Sequence, residues 1–459
     1  LHTRKAIKTI AKLIYKRNML NMNKSTKMDR RLFLGAAGSL VPVWAMGQSA
    51  DPSPRTRPLI PGIKGRKPLA VIGSTYHPLS HSYHIAGRFL HGYYLDGKFH
   101  VPEHYIHSVF VDQKPENDVS LPLSKEFGFK LAGTVREALI DNKGDLAVDG
   151  VMIIIEHGKY PENEKGQILY PRFEMMEQVV KVFKEVGKSV PVFNDKHLSI
   201  DFGKARKMVD WSEELKFPFM AGSSLPFVWR TPQLELPLET PIEEGLLAAY
   251  GRIEIYGLHS LEALQTMMER RKGGETGVKS VECLRGDAVW KAGDEGRWSW
   301  KLLDAALARS ETLNPGDIRF NTNTVTSLTI PRVEPIAFLI EYKDGTKGTV
   351  MLLNGHIQDF CFAGKIKGQE RPSSCLFRLP MPPGAKFFDA QVFNLEKLFT
   401  KKESPIPIKR TLLTTGMLEA AMDSNFQKGK PIKTSHLEFK YNSRAESGFL
   451  RGGVASEID

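Results

Sequence analysis

The chain has 459 residues, of which 41% are hydrophobic and 25% charged, ordinary values for a globular protein. That length suits two domains or one large one, and the composition excludes wholesale disorder, a collagen-like repeat and a disulfide scaffold. The formal charge is +12, but residues 1–50 carry ten Lys and Arg against one Asp, leaving 54 against 51 for the rest. The basic excess therefore belongs to a leader, and no nucleic-acid partner is expected of the nearly neutral body.

Residues 1–27 place Ile7, Ile10 and Leu13 at helical spacing among lysines. Met28 nevertheless looks like the true start, because an export signal follows it directly. In residues 28–50 a charged start (Asp29, Arg30, Arg31) precedes an apolar run at 32–46, and small residues follow at Ala45, Gly47 and Ala50. Arg30-Arg31-Leu32-Phe33-Leu34 resembles a twin-arginine signal, with Asp29 where Ser or Thr is usual. A membrane span needs ~20 residues, so no stable span is expected after signal cleavage, a retained anchor being the alternative. The expected address is periplasmic or secreted. Residues 51–66, rich in Pro, Arg and Gly, read as a linker.

An α/β pattern then begins. Residues 69–72 form an all-apolar run ending at Gly73, as a buried parallel strand reads. The spacing predicts a helix over 82–94, a strand at 105–111 and helices at 123–127 and 134–140. A strongly buried strand follows at 150–155, then an amphipathic helix at 173–185. A strand at 190–193, a helix at 200–215 and a strand at 217–221 complete the alternation. Strand and helix alternate throughout, which predicts a parallel doubly wound sheet over 67–225. Residues 226–459 differ. A strand at 278–284 and a hairpin at 337–353, turning at Asp344-Gly345, predict a largely antiparallel open sheet, with helices at 298–308 and 413–426 on one face. Cys283, Cys361 and Cys375 form no C-x-x-C pair and read as buried thiols.

Ligands of an open parallel sheet bind outside the carboxyl ends of its strands. The first such end is Gly73-Ser74-Thr75, with Ser82 at the start of the next helix. Free N–H groups and a helix dipole suit a phosphate there, although the loop is not G-x-G-x-x-G. Asp112 ends the second strand, either as a ribose ligand or as a solvated strand-end Asp. Glu156 and His157 open a long polar loop after the strongest strand, and Tyr170-Pro171-Arg172 closes it. Lys196, after the next strand, can donate to a substrate oxygen, and His259 suits proton transfer near neutral pH. His77, His81 and His84 are close in sequence, but the first two fall in a loop and no metal site is expected.

Several segments together resemble the Gfo/Idh/MocA family, the relatives of glucose–fructose oxidoreductase and inositol dehydrogenase. They are 123–128 with 134–139, the strand from Asp149 to Ile154, Val186-Gly187-Lys188-Ser189-Val190-Pro191-Val192 followed by Asp195-Lys196-His197, and 417–430 with Ala420, Ala421, Ser424 and Gly429. The resemblance implies an N-terminal Rossmann-type domain and a C-terminal α+β substrate domain whose open sheet forms a homo-oligomer contact. It also implies NAD or NADP and a sugar, polyol or related substrate. The family's E-K-P lysine maps onto Lys196, and its D-x-x-x-H histidine onto His259. His197 stands where the family has Pro, and Ile255 stands four before His259 where it has Asp. Two readings follow. One is an exported NAD(P)-dependent oxidoreductase, redox-neutral with a tightly held cofactor. The other is a carbohydrate-binding or structural relative that has lost cofactor-dependent catalysis, which the altered glycine loop and Ile255 favour.

Overall fold

The structure, a computed structural model, describes residues 62–324, 334–380 and 382–452. The pattern at 1–27, the export signal at 28–50 and most of the 51–66 linker lie outside the described residues. Leu69, Ala70, Val71 and Ile72 are fully buried in β1 (Lys67–Gly73), as a run apolar on both faces requires. Ser80 caps α1 (His81–His91), its Oγ accepting from the Tyr83 N–H, and Gly92 at φ 72° ends it. The predicted extension to residue 94 fails because Tyr93 leaves the helix for a hairpin. There β2 (Tyr93–Leu95) pairs with β3 (Lys98–His100) around Asp96 and Gly97, both at positive φ.

The strands β4 (His104–Val111), β5 (Lys130–Ala132), β6 (Gly150–Ile154), β7 (Val192–Asp195) and β8 (Phe219–Gly222) follow. Between them run α2 (Ser120–Phe127), α3 (Val135–Leu139), α4 (Arg172–Val186) and α5 (Phe202–Glu214). The strands pair in parallel in the order β5-β4-β1-β6-β7-β8. This is the doubly wound order of dinucleotide-binding folds, with its switch point between β1 and β6. The Rossmann-type expectation is borne out.

The chain continues through β9 (Arg230–Thr231), β10 (Ile242–Ala249), α6 (Ile255–Met268), β11 (Val278–Arg285), α7 (Asp287–Asp294), α8 (Trp300–Leu307) and α9 (Ile318–Thr324). Then come β12 (Ile336–Tyr342), β13 (Lys347–Leu352), β14 (Phe360–Ile366), β15 (Ser373–Phe377), α10 (Phe387–Lys401), α11 (Ile408–Phe426) and β16 (Ile432–Lys433). These strands form a second sheet in the order β16-β11-β12-β13-β10-β14-β15-β9. It is open and mainly antiparallel, as expected, with β10 and β13 parallel. The β12–β13 hairpin turns at Asp344-Gly345, as its sequence predicts. The three cysteines are free and buried.

Helices cover both faces of this sheet, not one. α6 and α11 pack against Leu247, Ala249, Phe338 and Val350. On the other side Trp290, Trp298, Leu302 and Leu303 of the α7–α8 region cover Leu246, Ala248, Ala337 and Met351. The reason is visible in β10, where Leu246-Leu247-Ala248-Ala249 is apolar on both faces. The face opposite α6 and α11 thus carries the chain's own helices.

The parallel sheet is covered on one face by α4 and α5. The other face takes α1 and, from far along the chain, α10. α10 approaches so closely that a Cβ on Gly150 would lie 2.5 Å from the Phe399 ring. This packing holds the carboxyl ends of the parallel strands beside α6 and α11, and the candidate site forms there.

Candidate active site

The ends of β6, β7 and β8 bring together residues far apart in sequence. Glu156 follows β6, and Lys196 follows β7. Lys196 and His157 both hold positive φ, 70° and 71°, a backbone geometry uncommon for non-glycine residues. The Lys196 N–H donates to the Gly222 carbonyl at 3.2 Å, which ties the end of β7 to that of β8. Gly222 itself is at φ 118°, and a Cβ there would sit 2.2 Å from the Glu262 carboxylate. Lys196 Nζ lies 2.8 Å from His259 Nε2 on the second turn of α6. With the lysine donating, Nε2 accepts and the imidazole proton sits on Nδ1, which is buried without a partner.

A second pair braces the first. Arg172, at the start of α4, donates from Nη2 to Glu156 Oε2 at 2.6 Å, and from Nη1 to His197 Nε2 at 3.1 Å. Both side chains of the ion pair are buried, at 3% and 7% exposure. The guanidinium also lies over the Tyr170 ring, 4.7 Å from its centroid. A third contact joins α1 to β7, with His81 Nδ1 2.6 Å from Asp195 Oδ2.

Burial works to raise the Glu156 carboxyl, but Lys196 and then Arg172 outweigh it and hold it below its ordinary value. Asp195 is likewise held low against its burial, chiefly by His81. Burial and then Lys196 push His259 well below the ordinary histidine value. His157 is lowered to about 4, by burial first and His81 next. His197 is held well down by burial, Arg172 and Lys196. Burial lifts Glu262, whose Oε2 accepts from the Ser223 N–H, to about 7. The site thus pairs a neutral imidazole with a lysine, beside an ionised carboxylate.

On the nucleotide side, Gly73, Ser74, Thr75 and Ser82 come together. A Cβ on Gly73 would approach Ser82 Oγ to 2.9 Å, so only glycine leaves that hydroxyl its place. Ser80, not Ser82, caps the helix. Thr75 Oγ1 and Ser82 Oγ are buried without partners, whereas Ser74 Oγ donates to the Glu156 carbonyl at 2.6 Å. Orphaned hydroxyls beside a helix start fit the phosphates of NAD or NADP, and exposed Asp112 fits a ribose hydroxyl by its charge. Asp112, however, already accepts from the Tyr160 hydroxyl at 2.7 Å. Lys159 N–H donates to Gln113 Oε1 at 2.8 Å, and Gln113 Nε2 donates back to the Lys159 carbonyl at 3.2 Å. The loop after β6 therefore straps across the end of β1 to the end of β4, along the line a dinucleotide would follow.

The sequence brought out Glu156, His157, Lys196 and His259, and these four gather at one edge. Gly73, Ser74, Thr75 and Ser82 gather beside them, and Asp112 adjoins that group, its N–H donating to the Gly73 carbonyl at 2.9 Å while its carboxylate is taken by Tyr160 of the strap. His77 and His81 lie edge-on to His157, at 5.5 and 5.3 Å, while His84 stacks on Phe388. Arg172, Asp195, His197 and Glu262 were not singled out for a role. Arg172 closed a polar loop in the sequence, and its density of polar groups was the available signal.

No family model matches the chain, and no curated protein sequence matches it. Solved structures resemble it over most of its length. GenD2 from gentamicin A biosynthesis, in complex with NAD, has 14% identity and TM-score 0.49 over 82% of this chain and 99% of its own. The myo-inositol 2-dehydrogenase from Lactobacillus plantarum has 10% identity and TM-score 0.47 over 80% and 99%. Biliverdin reductase from Synechocystis, in complex with biliverdin and NADP+, has 8% identity and TM-score 0.42 over 78% and 98%. Likeness at this level passes no activity across.

Proposed function

We propose that the chain is an exported NAD(P)-dependent oxidoreductase acting on a hydroxyl of a sugar, polyol or related carbohydrate. The observation that carries this reading is the Lys196–His259 contact of 2.8 Å at the carboxyl edge of the parallel sheet. Oxidising an alcohol removes a hydride from carbon and a proton from oxygen. Bound nicotinamide supplies the hydride acceptor. The chain's own residues manage the proton. A substrate hydroxyl against Lys196 Nζ gives its proton to the lysine as the lysine passes one to His259 Nε2. Burial and the adjacent ammonium keep His259 neutral, which leaves the Nε2 lone pair open to the lysine's proton while making the imidazole a weak base. Glu156 balances the lysine's charge, and Arg172 fixes that carboxylate in place. For an enzyme outside the cytoplasm, a cofactor held through reduction and reoxidation gives a redox-neutral cycle.

The strap favours a second reading, a carbohydrate-binding relative without cofactor chemistry, because Tyr160 occupies Asp112. Denaturing the purified protein and titrating it with NAD and NADP separates the two. Release of a nicotinamide absorbance, or saturable binding, supports the oxidoreductase. No release and no binding overturns it.

A further inference from the structure

We propose a second ligand site, a saccharide-binding groove between α1, the β2–β3 hairpin and the start of α10, separate from the Lys196–His259 edge. The groove encloses about 500 Å³ and is lined by four tyrosines, Tyr76, Tyr83, Tyr93 and Tyr94. That volume lies within the range of small-molecule sites. Beside the tyrosines its polar lining is Arg88, Asp389, Lys386, His84 and His91. Arg88 Nε donates to Asp389 Oδ1 at 2.6 Å, and the guanidinium also bonds the carbonyls of His84, Gly384 and Ala385. Arg88 is thereby spent on holding the carboxylate, and Asp389 Oδ2 makes no hydrogen bond among the described residues. Tyr76, fully buried, lines the groove with its hydroxyl unpartnered. At Gly87 the helix surface is bare, since a Cβ there would meet nothing within 4 Å.

These features select a ligand class. Tyr83 and Tyr94 present exposed rings, at 36% and 53%, where an aromatic face with a polar tip can take a flat, partly apolar ring. Asp389 needs hydroxyl donors, and the Tyr76 hydroxyl needs a polar partner. A wholly apolar ligand leaves both unanswered, and an anion meets the Asp389 carboxylate while the Lys386 ammonium is turned over the Trp229 ring, 5.6 Å from its centroid. A neutral sugar satisfies all three, with a C–H face on tyrosine, hydroxyls on Asp389 and an oxygen on Tyr76.

The groove shares a wall with the candidate active site. His84 stacks on Phe388 with centroids 5.1 Å apart and planes at 15°, and Phe388 meets the His81 ring edge-on at 4.9 Å. The proposal has the carbohydrate class in common with the proposed function but does not depend on its hydride chemistry.

The test is calorimetry of the full chain with maltose, cellobiose, lactose and sucrose, in the absence of nucleotide. Binding of at least one disaccharide is expected. Tyr94→Ala should weaken it about tenfold, Tyr83→Ala should weaken it as well, and Lys196→Met should leave it unchanged. Tyr94 and Tyr83 are exposed, so their truncation leaves folding intact. No binding by any of the four sugars overturns the proposal. So does binding that Tyr94→Ala and Tyr83→Ala leave intact, and so does binding abolished by Lys196→Met, which would assign the sugar to the active-site edge instead.

Discussion

Removing Arg172 while leaving Glu156 in place tests the electrostatic frame of the site. Arg172→Met keeps much of the side-chain volume and deletes the charge. Its partner is 7% exposed, so little water reaches the carboxylate. Breaking such a buried pair costs about 3–5 kcal/mol, because the surviving charge is left uncompensated. Two local facts adjust the figure. Lys196 also faces Glu156 and stays, which favours the lower end. His197 Nε2 loses its donor, which adds about 1 kcal/mol. A loss near 4 kcal/mol is therefore expected from urea unfolding followed by tryptophan fluorescence at pH 7.5. The pH dependence supplies a sign. In the parent protein Glu156 is held below its ordinary 4.5, so its contribution is present above that value and lost as pH falls through the folded one. In Arg172→Met the burial effect meets less opposition, the carboxyl binds its proton more readily, and the loss should shrink toward pH 5. The double variant Glu156→Leu/Arg172→Met should recover much of the stability. A loss below about 1 kcal/mol, or one equal at both pH values, would refute the reasoning.

Lys196→Met should lower kcat by about 10²–10⁴ with nucleotide affinity retained, measured by steady-state kinetics beside a binding titration. Gly222→Ala should cost on the order of 3 kcal/mol in the same urea assay, since it combines a φ of 118° with a Cβ placed on Glu262. Stability should rise slightly from pH 8 to 7, because burial lifts Glu254, Glu262 and Glu419 to about 7 and each takes its proton in the folded protein first. It should fall between 6.5 and 4, where the buried histidines outnumber those carboxyls. Burial holds His84, His104 and His157 down to about 4, so each binds its proton in the unfolded chain first.

Much of the fold is readable in local sequence. Residues 69–72 and 150–154 are apolar on both faces, so their burial follows directly. Thr134 and Asp201 cap their helices, and Asp344-Gly345 turns its hairpin. Asp96-Gly97 carries the same turn signal, but the helical spacing running up to Tyr94 masks it. What local sequence does not hold is contact across distance. α10 meets the parallel sheet through Phe399 and Gly150, nearly 250 positions apart. Lys196 and His259 are 63 positions apart, and only the family resemblance singles them out together. Glu156 and Arg172 are 16 apart, yet no helical or strand periodicity pairs them across an irregular loop.

Asp112 shows how the strap bears on function. In sequence it was either a ribose ligand or a strand-end carboxylate, and in the fold it is the acceptor for Tyr160. Magnitudes decide what that contact can prevent. A hydrogen bond to a charged group contributes roughly 1.5–3 kcal/mol, and the exposure of Asp112 puts this one at the low end. Micromolar binding of a dinucleotide is worth about 8 kcal/mol. The Tyr160 contact alone is thus too weak to exclude NAD(P), but strong enough to lower its affinity by about tenfold. Tyr160→Phe removes the competing donor and keeps the ring against Tyr170, which lies 5.3 Å away. It should tighten NAD or NADP about tenfold in a fluorescence titration and leave disaccharide binding at the groove unchanged. Unchanged or weaker nucleotide affinity would mean that Tyr160 is no competitor for the ribose site, and Asp112 would then be a strap anchor alone.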